Sequence, residues 1–226
     1  MAGSCLRIVL RVTRWATFDC YGTLIDWNGG IRAELALLWP AQDADELLRR
    51  YHELEPEVEY AEPALGYREV MQRVLARLGE VPGDEEDALG RSLPKWKAFP
   101  EVREALERAR GRGWHLAILS NTDRDFIEAS KATIGVPFDE TVVASEIGSY
   151  KPARKHWEEF SARTGAVPAR HVHVAQSMFH DIVTASELGL PPVWINRLGE
   201  RHDTAPTREL PDLARLPEVL DELVAA

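Results

Sequence analysis

The spacing of apolar positions changes character along the chain. Short apolar runs at 15–18, 116–119, 141–144, 171–175 and 193–195 have the length and composition of buried strands. The middle three are each followed by a helical pattern, as in 153-ARKHWEEFSARTG-165 after 141–144, and 101-EVREALERARGRG-113 adds another ahead of 116–119. Strands alternating with helices predict an α/β core, a parallel sheet with helices over both faces. In such a sheet the polar residues just past each strand gather along one edge, where ligands bind.

One interval departs from this alternation. Between 30 and 99 the apolar residues recur three and four apart, in 32-RAELALLW-39, 45-DELLRRYHELE-55 and 67-YREVMQRVLARLG-79. Pro40, Pro63, Pro82 with Gly83, and Pro94 punctuate the stretch. The pattern predicts an inserted all-helical cap over 30–99 and a core assembled from 1–29 and 100–226; a helical face of a single domain is the other reading. In the leading residues, MAGSCLRIVLRVTRW, Arg7, Arg11 and Arg14 interrupt the apolar run and no small-residue cleavage site follows. This reads as a short extra segment ahead of the first strand instead of a signal peptide. No run approaches the roughly 20 apolar residues of a membrane span.

Composition narrows the partners. The 226 residues suffice for a full core, and 45% hydrophobic with 28% charged residues predicts a globular chain. A formal net charge of −10 argues against nucleic acid, whose phosphates are met by clustered Lys and Arg. Cys5 and Cys20 are poorly placed for a structural crosslink, which points to a reduced, cytoplasmic setting.

The strand ends carry the candidate chemistry: Asp19 with Tyr21 and Thr23, Ser120 with Asn121, Lys151 before Pro152, and Gln176 with Ser177 and Asp181. Charged groups converging in a cleft are costly to desolvate unless they pair, so such a set points to a working site. Single members have plainer readings. Ser120 or Asn121 would cap a following helix, Asp181 would cap 181–189, and Lys151 would be a solvated loop lysine.

FDCYGTL, LSN, YKP and a last acid-bearing loop before an apolar strand, in this order, resemble the four motifs of the haloacid dehalogenase superfamily. The resemblance implies a Rossmann-like core, with the helical insertion in the place of that superfamily's first cap. It implies Asp19 as a nucleophile that forms a covalent ester. Thr23 and Ser120 would hold the nucleophile and a substrate oxygen, Lys151 would orient Asp19, and Asp181 would pair with Lys151 and help position the hydrolytic water. On the substrate side it adds Tyr21, Arg50, Asn121, Gln176, Ser177 and His180. A homodimer is a further family expectation.

Within that superfamily the default is a magnesium-dependent phosphatase, with a second Asp two places after the nucleophile to protonate a basic alkoxide. Tyr21 occupies that place, and Ala175 and Gln176 replace the Gly-Asp that would serve a hard cation. Asp-x-Tyr-Gly-Thr instead resembles the 2-haloacid dehalogenases, which use no metal or other cofactor; their substrate-side arginine corresponds to Arg50, with Arg49 its neighbour. Trp157 and Met178 depart from that group, standing where it carries Tyr and Asn. FDCYGTLIDW, GSYKP and His-x-Ala-Gln-Ser-x-x-His-Asp are similar to the azetidine-2-carboxylate hydrolases, in which a strained ring opens and a protonated amine leaves. The expectation is a metal-independent hydrolase acting on a small carboxylic acid at the alpha carbon, with halide or ring amine as leaving group. A Mg2+-dependent small-molecule phosphatase and a non-catalytic binding protein are the alternatives.

Overall fold

Ala16, Phe18, Leu116, Ile118, Val172 and Val174 are wholly buried, because strands covered by helices on both faces hide successive side chains on either side. The computed structural model describes residues 13–225; nearly all of the predicted leading segment, and Cys5 with it, lies outside these. The strands are β1 (Arg14–Phe18), β2 (Trp114–Ser120), β3 (Glu140–Val143), β4 (His171–Ala175), β5 (Pro192–Ile195) and β6 (Arg208–Leu210). They form one parallel sheet in the order β3-β2-β1-β4-β5-β6. The five predicted strands are all present. β6 was not foreseen, since two of its three residues are exposed and no apolar run marks it.

The order reverses between β1 and β4, and a crevice opens at such a point beyond the carboxyl ends of the strands. Asp19 stands directly after β1, and its N–H continues the ladder to the Val174 carbonyl at 3.1 Å. The next residues turn sharply at Gly22, where φ is +86° and a Cβ would lie 3.3 Å from Gln176 Oε1, so a glycine suits both backbone and space.

The chain then runs through α1 (Trp27–Leu38), α2 (Ala44–Ala61), α3 (Tyr67–Leu78) and α4 (Ala88–Ser92), the helical stretch expected from the pattern. Helix α1 begins at Trp27, where the Asp26 carboxylate accepts from the Gly29 N–H at 2.9 Å. The outgoing and returning strands of chain are stitched together: Asp26 N–H donates to the Lys97 carbonyl at 2.8 Å and Phe99 N–H to that of Leu24 at 3.0 Å. After this return come α5 (Val102–Gly111), α6 (Arg124–Ile134), α7 (Ala144–Ile147), α8 (Lys155–Thr164), α9 (Val183–Glu187) and α10 (Leu216–Leu223). None of the described helices is long and apolar enough to cross a membrane.

The helical layer is also tied to the sheet at a second place. Asp123, in the turn after β2, accepts from the Tyr67 and Arg68 N–H groups at 2.9 Å each, capping α3 from across the fold. Tyr150 O–H donates to the Leu65 carbonyl beside it at 2.8 Å. A borrowed cap of this kind is worth about 1 kcal/mol. Asp123→Ala is therefore expected to lower stability by about that amount in urea unfolding, and to raise hydrogen exchange at the start of α3 above that in the sheet.

Candidate active site

Lys151 is the hub of the crevice. Its Nζ donates to Asp19 Oδ1 at 2.9 Å, to Asp181 Oδ1 at 2.7 Å and to the Leu119 carbonyl at 2.9 Å. All three ammonium protons are thereby used. Burial alone would push Lys151 toward neutrality, but Asp181 and Asp19 outweigh it and hold its pKa above the lysine norm. A solvated loop lysine is thus not what the fold contains, because the loop after α7 turns this side chain inward between two carboxylates.

Burial raises the Asp19 pKa, against the pull of Lys151 and with the repulsion of Asp181 added. Thr23 Oγ donates to Asp19 Oδ2 at 2.8 Å and itself accepts from the Gln176 N–H at 2.9 Å, so one hydroxyl joins the turns after β1 and β4. Both oxygens of Asp19 are held, which orients the carboxylate without shielding it: the residue lines a cleft of about 610 Å³. Burial also opposes ionisation of Asp181, but the attraction of Lys151 and the hydrogen bond from His173 prevail and hold its pKa well below the carboxylate range. Asp181 lies in a single π-helical turn, Met178–Ile182, whose entry is capped by Ser177; it does not cap 181–189 as one reading of the sequence had it. π turns often mark functional sites because they re-aim one side chain within a helix.

Asn121 grips the backbone of Lys151 from both sides, its Oδ1 accepting from the Lys151 N–H at 2.7 Å and its Nδ2 donating to the carbonyl at 3.1 Å. Ser120 ends β2 with a buried Oγ that has no partner among the described residues and lines the cleft. Neither caps the next helix, whose N-cap residue is Asp123. Gln176, Ser177 and His180 line the same cleft. Burial lowers the His180 pKa to about 4, leaving it neutral near pH 7. Tyr21 also lines the cleft, but its O–H is engaged with Ser130 Oγ at 3.0 Å, and burial pushes its pKa far up.

Arg50 is the exception among the predicted residues. The inward stripe of α2 runs Leu47, Tyr51, Glu55, Val58, and Arg50 lies off that line, donating to the Leu78 carbonyl at the end of α3. Arg49 is exposed between Glu46 and Glu53. Neither lines the cleft. Trp157, too, packs beneath the sheet, edge-on to His173 at 5.2 Å.

Where an arginine was expected, α2 presents acids. Glu55 and Glu59 line the cleft opposite Asp19, each 6% exposed. Tyr67 O–H donates to Glu55 at 2.6 Å, and Asn121 Nδ2 approaches Glu59 at 3.4 Å. Burial raises the Glu55 pKa to about 7; burial and then the nearness of Glu55 raise that of Glu59. The signal was present in the sequence: Leu47, Tyr51, Glu55 and Glu59 are spaced four apart, so acids continue an apolar stripe where apolar residues belong. At the mouth, Glu200, Arg201 and His202 from the β5–β6 loop complete the lining; no motif points to them.

Comparison with known proteins gives the chain a family. A family described as haloacid dehalogenase-like hydrolase matches residues 13–189. Among curated relatives, (S)-2-haloacid dehalogenase 4A of Burkholderia cepacia is 26% identical over 82% of this chain and 84% of its own length. A glyceraldehyde 3-phosphate phosphatase of Methanothermobacter thermautotrophicus is 29% identical, over 44% of this chain and 45% of its own. A solved L-2-haloacid dehalogenase superposes with a TM-score of 0.82 at 24% identity, covering 92% of this chain and 99% of that one. From the strand that carries Asp19 to the turn that carries Asp181 the match is continuous, and the chain belongs to the haloacid dehalogenase-like hydrolases.

Proposed function

We propose that the protein hydrolyses a small carboxylic acid at its alpha carbon through a covalent ester on Asp19, without a metal, and that the group displaced is a protonated amine. The observation that carries the first part is position 21. A phosphatase needs an acid there to protonate its leaving alkoxide; here a phenol with a strongly raised pKa is tied to Ser130. A leaving group that needs no proton suits this site.

The residues do not fit a divalent cation. Lys151 already bridges Asp19 and Asp181, the next side chain along the crevice is the neutral amide of Gln176, and no three His, Cys, Asp or Glu groups among the described residues could share a metal. In the reaction, an Asp19 oxygen bonds to the alpha carbon as the bond to nitrogen breaks, its electron pair leaving with the amine. Water then attacks the ester carbonyl. Arg201 at the mouth is the cation available to the substrate carboxylate, since Lys151 has no donor left. The helical stretch 30–99 acts as the cap that closes over the reacting carbon.

The choice of amine over halide rests on Glu55 and Glu59. Glu59 has the neutral His180 ring 3.8 Å away and Lys151 acting on it from its place between Asp19 and Asp181, and Glu55 has no ion-pair partner among the described residues. Two such buried acids facing a small-molecule cleft are unfavourable as carboxylates alone and become favourable beside an ammonium group. A departing halide would gain nothing from them and would be repelled by whichever is ionised. They also supply the negative charge that Gln176 lacks.

Asp19→Asn should abolish turnover of azetidine-2-carboxylate and 2-chloropropionate by at least about 10⁴-fold. In a single turnover in isotopically heavy water the product should carry ordinary oxygen and Asp19 the label; label in the product instead would rule out the ester. Phosphate release from phosphomonoesters, dependent on magnesium, would establish the phosphatase. Glu59→Gln should raise KM for the amine substrate about 30-fold, equivalent to about 2 kcal/mol, and leave KM for the haloacid unchanged or lower. Because the Glu55 carboxyl ionises at about 7, KM for the amine should fall as pH rises from 6 to 8. A flat profile shared by both substrates would sink the ammonium contact.

A further inference from the structure

His173 lies on β4, wholly buried beneath the site and outside the cleft. Its Nε2 is 3.0 Å from Asp181 Oδ1, its Nδ1 is 2.8 Å from Thr17 Oγ, and Thr17 Oγ is 2.7 Å from His171 Nε2. Thr17 and His173 are register partners on adjacent strands, which sets the spacing. The proton count gives the line a direction. Asp181 is a carboxylate and accepts, so His173 Nε2 carries the hydrogen; on the neutral ring, Nδ1 at 2.8 Å takes the Thr17 hydroxyl proton in preference to the Val172 carbonyl at 3.5 Å. The Thr17 oxygen then accepts from His171 Nε2–H. Burial keeps His171 neutral, with a pKa of about 3, so one donor and one acceptor on its ring are what this arrangement requires.

The consequence falls on Asp181. Its Oδ1 takes two hydrogen bonds, from Lys151 at 2.7 Å and His173 at 3.0 Å, while Oδ2 is buried, lacks a partner among the described residues, and belongs to a residue that lines the cleft. One oxygen is saturated and the other is left without a partner among the described residues, on a residue that lines the cleft. Lys151 alone would leave the carboxylate free to rotate about its Cβ–Cγ bond; a second donor from a different direction stops it.

We infer that His173, with Thr17 behind it, is a positioning residue for the second half-reaction: it locks the Asp181 carboxylate so that Oδ2 holds the water that hydrolyses the ester on Asp19. The inference rests on the aspartyl ester proposed above. In that step the water oxygen bonds to the ester carbonyl and the acyl–oxygen bond breaks. One water proton ends on the product hydroxyl, and the other is released as Asp19 ionises again. Ester formation does not involve the water, so His173 should matter to one half-reaction and not the other.

Rapid-quench mass spectrometry with azetidine-2-carboxylate and (S)-2-chloropropionate separates the two. In His173→Leu the Asp19 ester should form at the wild-type rate, accumulate to near one per chain, and decay on the order of 100-fold more slowly. His173→Gln, whose amide can donate to Oδ1, should recover much of the loss. Thr17→Val removes the hydroxyl that sets the His173 tautomer and accepts from His171, leaves the His173–Asp181 hydrogen bond in place, and should shift the same step in the same direction by less; it serves if His173→Leu does not fold. Equal slowing of both half-reactions in the folded variants, or ester decay at the wild-type rate, overturns the inference. Label from heavy water appearing in the product and not on Asp19 in a wild-type single turnover overturns the covalent reading itself, and the two failures are distinct.

Discussion

Everything in the site is arranged around one buried ammonium. Lys151 sits between Asp19 and Asp181 with its third proton on the Leu119 carbonyl. Without it, two carboxylates would face each other out of water, a juxtaposition that forces one of them to take up a proton. A buried pair of this kind contributes little net stability after desolvation, so its value lies in geometry and charge. It keeps Asp181 ionised, limits how far burial raises Asp19, and joins the ends of β1 and β2 to the turn after β4. Asn121 then fixes the Lys151 backbone, and Thr23 fixes the second Asp19 oxygen. The freedom of the Asp19 carboxylate is removed by Lys151 and Thr23 directly and by Asn121 through Lys151, three residues drawn from three different turns.

Over this rigid floor lies a helical layer with the opposite electrostatic problem. Glu55 and Glu59 are buried acids with hydrogen-bond donors, and burial raises both their pKa values, with Lys151 offsetting only part of it at Glu59. The floor is balanced internally, whereas the helical layer is left to be balanced by what enters the cleft. In the proposed reaction this asymmetry divides the tasks, chemistry below and recognition above. An arginine on the inward face of α2 would neutralise the acids that the proposed reaction leaves for a substrate.

Much of the sheet was legible because its strands are buried on both faces and read as short continuous apolar runs. The exception, Arg208–Leu210, is an edge strand with two exposed residues, stabilised by pairing to β5 and not by its own side chains. The chemistry along β1, β2 and β4 was legible for a related reason: each residue follows directly from a strand end, so parallel pairing alone brings it to the common edge. Arg50 failed because its helix is separated from the sheet by turns whose geometry is not encoded in periodicity. A neighbour one position away on a helix points about 100° elsewhere, and α2 turned Tyr51 and Glu55 inward instead. Glu55 and Glu59 were recognisable as acids on an apolar stripe, although not as residues facing Asp19.

By itself the sequence determined the parallel core, the helical insertion and the set Asp19, Lys151 and Asp181, since these depend on local patterns and on strand order along the chain. Only the tertiary structure decided which side of α2 meets the cleft, that His173 and Thr17 stand behind Asp181, and that the β5–β6 loop closes the mouth. Those are contacts between residues distant in the chain, where a turn of a helix or the register of two strands sets the partner and no periodicity records it.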